Sequence, residues 1–274
     1  MNVKWLIEDG VFPEVVTKEI TDALYSIGAN YKLAMNVTRE IDSVAENDFY
    51  IPYGSVGMVQ GLSGKVLDEN FGVWYIPEFL SWGAISKHWN KYLLNCDSEV
   101  VGLGEFKTRL SYFYDRFGKE FNGQKVLFIK PFENDKSFTG MILLEMAAEG
   151  TVEKLVSDNN YFEKVSCDTK VVVSQPMIVL NEWRFFILKG DIIAASQYNK
   201  NRAKYYEEGC SEPQAVKLVE KVISIWEPDQ AFSLDICESN EKYYIMEVGC
   251  INCSDLYAAN KVGFFRKMTE AFSN

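Results

Sequence analysis

The chain has 274 residues, 47% hydrophobic and 24% charged, the balance of a globular protein with one large or two small domains. A formal net charge of −11 argues against general affinity for nucleic acid or anionic membrane, although a local basic pocket stays open. No stretch approaches the roughly 18–20 apolar residues of a membrane helix, and the opening MNVKWLIEDG meets acid too early for a secretory signal.

In chain order, Val3–Ile7 reads as a short strand, and Pro13 opens a helix with Val16, Ile20, Ala23, Leu24 and Ile27 at helical spacing. Gly28 stops that helix and Tyr31–Met35 is the next strand, which completes a βαβ unit. Phe49–Pro52 is a further strand running into Tyr53-Gly54-Ser55, and Pro77–Leu94 reads as one helix. From about residue 105 the pattern turns α+β, with a helix over Thr108–Phe121, strands at Val126–Lys130 and Phe138–Glu145, and a loop or short helix within Leu155–Val165. Lys170–Ser174 and Met177–Leu180 are β-branched runs separated by Gln175-Pro176. A hairpin follows, Glu182–Leu188 and Ile192–Tyr198 about a Lys-Gly-Asp turn. Ser211 with Pro213 opens a helix, a second hairpin joins Phe232–Ile236 to Tyr243–Val248, and a helix ends the chain.

Six scattered cysteines (Cys96, Cys167, Cys210, Cys237, Cys250, Cys253) read as reduced thiols in a cytoplasmic setting. Cys250-Ile251-Asn252-Cys253 is a lone CxxC without a second half-site, so two free thiols are expected there. His88, the single histidine, reads as a packing or surface residue on a Trp- and Lys-rich helix. A His-rich metal site is excluded.

Four constellations carry chemistry. Lys130 ends an apolar strand, where it either reaches water along its aliphatic stem or meets an anion. The loop after it (Asn134, Asp135, Lys136, Ser137, Thr139, Gly140) offers a second cation, hydroxyls and flexible N–H groups, as phosphate-covering loops do, or is plain surface. Glu182 and Arg184 project from one strand face and either neutralise each other or serve a ligand. With a tip at Asn240-Glu241-Lys242, Asp235 falls directly opposite Glu247. Like charges so placed destabilise a ladder, and a divalent cation with phosphate and water, magnesium above all, would relieve them unless the register slips and exposes both acids or one carboxyl is protonated.

In order and spacing, FIKPFENDKSFTG, VVVSQPMIVLNEWRFFI, GDIIAASQY, FSLDI and YYIMEVGCINCSDLY, with YIPYGS near residue 50, resemble the ATP-grasp superfamily. The closer resemblance is to its bacterial and phage clade labelled after two arginines and a lysine. The resemblance implies an α+β fold: two subdomains clamping ATP (105–274) after a small α/β N-terminal domain (1–104). It implies that Lys130 holds the α- and β-phosphates, that Lys136 with Ser137, Thr139 and Gly140 covers the γ-phosphate, and that Gln175, Pro176, Met177 and Ile178 meet adenine. Glu182 matches the ribose-binding acid, and Asp235 and Glu247 the Mg2+ carboxylates. Two departures stand out: Gly249 replaces the Asn of the usual Glu-x-Asn, with Asn252 or water as substitute ligand, and Ser233 replaces an arginine whose part falls to Arg184 or Arg202.

The implied activity is ATP- and Mg2+-dependent ligation of a small-molecule or peptide carboxylate to an amine or thiol through an acyl phosphate, with the acceptor near Tyr53, Gly54 and Ser55. The rivals are a nucleotide-binding regulatory or interaction protein with little turnover, a kinase-like transfer to a hydroxyl, and an α/β binding domain without nucleotide.

Overall fold

Three short parallel strands begin the architecture. In the computed structural model, which describes residues 2–41, 48–63, 70–135, 137–157 and 165–273, β1 (Asn2–Glu8) lies between β2 (Asn30–Ala34) and β3 (Asp48–Tyr53). Helix α1 (Glu14–Ser26) makes the crossover from β1 to β2, with Pro13 at its N-cap and Gly28 in a left-handed conformation just past its end. Short helices α2 (Val37–Ile41) and α3 (Val56–Ser63) flank β3 in sequence.

A five-stranded antiparallel sheet comes from the last third of the chain. Its strands are β9 (Asn181–Leu188), β10 (Asp191–Lys200), β11 (Ala203–Glu208), β12 (Ala231–Ser239) and β13 (Lys242–Cys250), in the order β11-β10-β9-β12-β13. The 203–208 strand carries no expectation from the sequence; left-handed Asn201 and Arg202 turn the chain tightly into it. Helix α9 (Pro213–Ile223) precedes β12, and α10 (Lys261–Phe272), capped by Asn260 through Gly263 N–H, follows β13. The two sheets share one core in which Trp5, Ile7, Leu24, Phe49, Phe186, Phe264, Phe265 and Met268 are buried together. Residues 1–76 and 180–274 thus pack as one unit.

Residues 77–179 form the second unit. Its sheet contains β4 (Ser98–Gly102), β8 (Lys170–Ser174), β6 (Gln124–Pro131) and β5 (Lys119–Phe121), with β7 (Met141–Leu144) also on β6. Helices α6 (Leu103–Thr108), α7 (Leu110–Phe117) and α8 (Ala148–Ser157) bury Phe106, Phe113 and Leu155 with Leu127 and Ile129 of β6. The helix expected over 77–94 is α4 (Pro77–Leu80) and α5 (Trp82–Trp89), broken at Ser81. There the backbone is extended, and the hydroxyl accepts from Ala84 N–H to start a new helix. The helix expected over 108–121 stops at Phe117, and left-handed Asn122 and Gly123 turn 119–121 into a hairpin with β6. Met177–Leu180, expected as a strand, has no regular structure; the expectation for Leu155–Val165 lies partly outside the described residues.

Candidate functional site

The 180–274 sheet sets side chains in a row. In register, Glu247 of β13 faces Asp235 of β12, which faces Arg184 of β9, which faces Ser196 of β10. The pairing of Asp235 with Glu247 is the expected one, reached by a different route. The tip is only Asn240-Glu241, both left-handed, and pairs next to it would shift by one. A bulge restores the count: Ile236 pairs with Ile245 while Asp235 pairs with Glu247, so Met246 is the extra residue.

Mutual repulsion of the two acids is not the dominant electrostatic fact, because the chain brings its own counter-cation. Arg184 holds Asp235 in a fork, Nε to Oδ1 and Nη2 to Oδ2, both at 2.8 Å. Asp235 is 3% exposed. Tyr198 donates its hydroxyl to Oδ2 at 3.2 Å, and Arg184 Nη1 donates to the Asp255 carbonyl at 3.4 Å. The guanidinium lies 5.8 Å from the ring centre of Tyr198 and 5.1 Å from that of Tyr257, and the two rings stack at 4.8 Å. Burial works against the charge on Arg184, but the Asp235 carboxylate outweighs it and leaves the guanidinium's proton affinity above its ordinary value. Arg184, rather than Arg202, is the arginine at Asp235; Arg202 stands exposed in the β10–β11 turn with its N–H on Leu180 O.

Two residues along β9 from Arg184, Glu182 accepts from Asn199 Nδ2 at 2.7 Å. Burial raises its carboxyl above the usual range, and the hydrogen bond from Asn199 partly offsets that. Asn199 Oδ1 is buried with no hydrogen-bond partner among the described residues. A carboxylate and an orphaned amide oxygen side by side make a pair of acceptors suited to neighbouring hydroxyls of a sugar. A second bulge, which leaves Tyr198 unpaired between Gln197 and Asn199, accompanies this placement.

Asn252, expected as a metal ligand, is a scaffold clamp here. It is 1% exposed; Oδ1 accepts from Trp74 N–H at 2.9 Å, and Nδ2 donates to Pro52 O at 2.8 Å and Gly72 O at 2.7 Å. Tyr53 and Gly54 meet the same segment, and Ser55 meets β1. Tyr53 donates to Ser254 O at 2.6 Å, Gly54 N–H to Asn252 O at 2.9 Å, and Ser55 N–H to a Glu8 carboxylate oxygen at 2.6 Å. Cys250 and Cys253 form no disulfide, and Cys250 is buried. Among the described residues no cluster of three His, Cys, Asp or Glu side chains could hold a metal unaided. Asp235 and Glu247 could offer Mg2+ two carboxylates, with phosphate and water completing its shell.

The two departures at 233 and 249 are neighbours. Ser233 pairs with Gly249, and its hydroxyl shares a 2.6 Å hydrogen bond with that of Ser254. A Cβ at 249 would stand 2.8 Å from Ser233 Oγ, so a side chain there requires Ser233 to move.

In the 77–179 unit, Lys130 pairs with Val172 across β6 and β8, and its ammonium lies 4.1 Å from the ring centre of Trp82. An aromatic face supports that half-buried cation in place. Gly140 lets the loop close on the strand: a Cβ there would be 2.9 Å from Phe128 Cζ and 3.3 Å from Lys130 Cβ. Ser137 is buried, its N–H donates to Asp135 Oδ1 at 2.8 Å, and its hydroxyl has no partner among the described residues. Thr139 is exposed, and Lys136 lies outside the described residues. Of the segment expected to meet adenine, Gln175 and Ile178 are exposed, Met177 half-buried and Pro176 buried.

Tyr198, Asn199, Asp255 and Tyr257 escaped the sequence reading. Tyr198 and Tyr257 lie within the matched stretches GDIIAASQY and SDLY, but only the register brings them to Arg184.

A model of the ATP-grasp domain, family 3 of the clade labelled after two arginines and a lysine, matches residues 97–268, more than half of the chain, and the chain belongs to that family. No curated protein matches the sequence. Among solved structures the fold resembles a D-cycloserine synthetase, DcsG (TM-score 0.63, 8% identity, covering 98% of this chain and 99% of that one). It also resembles the ATP-grasp ligase PsnB complexed with a minimal precursor (TM-score 0.61, 10% identity, 100% of both chains). A third likeness is the D-alanine–D-alanine ligase of Bacillus anthracis (TM-score 0.56, 12% identity, 92% and 87%). The architecture is thus an ATP-grasp fold of the α+β class. Among the described residues no helix is long and apolar enough to cross a membrane.

Proposed function

From membership of this family we propose that the protein is an ATP-dependent ligase joining a carboxylate, of a small molecule or a peptide, to an amine or thiol. Residues 1–104 form the domain that precedes the nucleotide-binding module of 105–274 in this reading. The observation that carries it is the row Glu247–Asp235–Arg184 beside the acceptor pair Glu182 and Asn199. Carboxylates for a cation, a guanidinium for an anion and acceptors for a diol are the groups a nucleoside triphosphate needs.

Lys130, held on Trp82, meets the α- and β-phosphates, and Ser137 with Thr139 and Gly140 offers a hydroxyl and backbone N–H groups to the terminal one, together with Lys136. Gln175, Pro176, Met177 and Ile178 line the base, and Glu182 takes the ribose. Mg2+ on Asp235 and Glu247 would screen phosphate charge and polarise the terminal phosphoryl group. The substrate carboxylate attacks the γ-phosphorus, the bond to the ADP oxygen breaks, and the amine or thiol then displaces phosphate from the acyl phosphate, losing one proton. Arg184 stabilises the charge developing on the transferred group, and Tyr53, Gly54 and Ser55 border the acceptor. The chain's task is to position and neutralise, which agrees with a protein holding a single histidine.

A second reading, nucleotide binding without turnover in a regulatory or interaction protein, is favoured by the commitment of Asn252 to backbone partners and by Gly249, which leave two carboxylates as metal ligands. Calorimetric titration with ATP and Mg2+ tests the nucleotide site: Lys130→Ala should weaken affinity at least about tenfold, the loss of one charge-assisted contact, and equal affinity in both proteins would sink it. Turnover separates the readings. Ligation releases ADP and phosphate only when both co-substrates are present and yields a product mass equal to their sum less one water; binding alone yields neither.

A further inference from the structure

The Arg184–Asp235 fork has a consequence for how a metal is admitted. Both oxygens of Asp235 are taken by guanidinium N–H groups at 2.8 Å, and Oδ2 also receives the Tyr198 hydroxyl. A divalent cation arriving alone would have to share that carboxylate with a resident positive charge buried beside it. Glu247 would supply the second carboxylate, with Glu182 a further acid two residues along β9. A cation arriving on a polyphosphate meets different conditions. The phosphate gives the guanidinium a new anionic partner, so Asp235 can pass to the metal without leaving Arg184 unpaired. The fork's surroundings permit such a transfer. Among the described residues Nη1 makes only the long 3.4 Å bond to the Asp255 carbonyl, and the Tyr198 and Tyr257 rings support the guanidinium without demanding one hydrogen-bond geometry.

We propose that Arg184 is a positioning residue that reserves Asp235 for a metal–nucleotide complex, holding the carboxylate as an internal counter-cation and turning away free divalent ions. The inference rests on the function proposed above. Its effect is to order binding: nucleotide and metal enter together, and the nucleotide-free protein stays metal-free at concentrations where a bare pair of acids would fill.

The test is a titration of nucleotide-free protein with Mn2+, following free Mn2+ by electron paramagnetic resonance. Arg184→Met should bind Mn2+ at least about tenfold tighter than wild type, since one opposing charge is gone. Adding Asp235→Asn to that variant should abolish the gain. Equal affinity in wild type and folded Arg184→Met overturns the proposal, as does a gain that survives Asp235→Asn. Should Arg184→Met fail to fold, Arg184→Lys, which keeps a charge but loses the fork, replaces it. There a gain of about threefold is expected, and affinity equal to wild type overturns the proposal. A wild type that takes up no ATP with Mg2+ overturns the proposed function. One that does, beside an Arg184→Met no better for Mn2+, overturns only the reservation by Arg184.

Discussion

Asn252→Asp separates a metal ligand from a scaffold clamp. The amide makes three strong hydrogen bonds while 1% exposed, two donated to the carbonyls of Pro52 and Gly72 and one accepted from Trp74 N–H. Aspartate keeps the acceptor for Trp74 and loses both donors. Two buried carbonyls are then left facing an anion, at a cost of about 1–3 kcal/mol for each unsatisfied group. The native state should lose about 4 kcal/mol at pH 7 by that count. The new carboxyl, buried against carbonyls, would have a folded-state pKa above its unfolded value. The stability it retains is therefore present below the unfolded pKa and lost as pH rises through the folded one. Urea unfolding followed by tryptophan fluorescence should show a deficit that shrinks as pH falls through the raised folded pKa, where the protonated acid regains one donor, and levels off below about 4. A ligand for Mg2+ behaves oppositely: aspartate is the better hard-cation ligand, so the variant would be near wild type in stability and bind metal–nucleotide more tightly. A loss under about 1 kcal/mol at pH 7 refutes the clamp.

Gly249→Ala should cost about 1–3 kcal/mol, because its Cβ meets Ser233 Oγ at 2.8 Å, and adding Ser233→Ala should return at least half of that in a double-mutant cycle. Asp229, half-buried in the turn before β12, has its carboxyl pushed up to about 6 by burial, partly offset by the Gln230 N–H it accepts. Its folded pKa lies above the unfolded one, so its contribution is full below about pH 4 and is lost as pH rises through 6. Asp229→Asn should remove that fall, leaving the variant roughly 1–2 kcal/mol more stable than wild type at pH 7 once partial exposure is allowed for; parallel urea curves at pH 4 and 7 check it.

Much of this architecture was legible wherever periodicity and punctuation agree. Pro13, the stripe through Ile20 and Leu24, and Gly28 bound α1 closely. Where apolar spacing continues across a break, pattern misleads. Trp82 and Trp89 extend the spacing of Phe79 and Leu80, yet Ser81 caps a separate helix; Asn122-Gly123, a strong hairpin signal, outweighed the helical pattern before it. The opposition of Asp235 and Glu247 came from a tip one residue too long, offset by a bulge at Met246 that no local sequence rule marks. The pairing of Arg184 with Asp235 was hidden for another reason. Its partners are 51 residues apart, and only the antiparallel register of β9 with β12 joins them, whereas the sequence sets Arg184 beside Glu182 and suggests a local ion pair.

The two departures from the superfamily's pattern are best understood as one change at one cross-strand position. Ser233 and Gly249 face each other, and the space a side chain at 249 would need is held by the Ser233 hydroxyl, itself bonded to Ser254. Restoring an asparagine at 249 without emptying 233 overfills the pair. Placing an arginine at 233 would bring a long side chain against Ser254 and a second guanidinium beside the one already on Asp235. The chain instead puts its arginine at 184, the cross-strand neighbour of Asp235, and that choice allows 233 and 249 to stay small. The small pair at 233 and 249 and the arginine at 184 are thus linked by packing, and under the proposed function a metal on Asp235 and Glu247 would depend more on the phosphates it arrives with than on the polypeptide. Under the proposed function, metal binding should depend strongly on nucleotide, whether or not a bond is made afterwards.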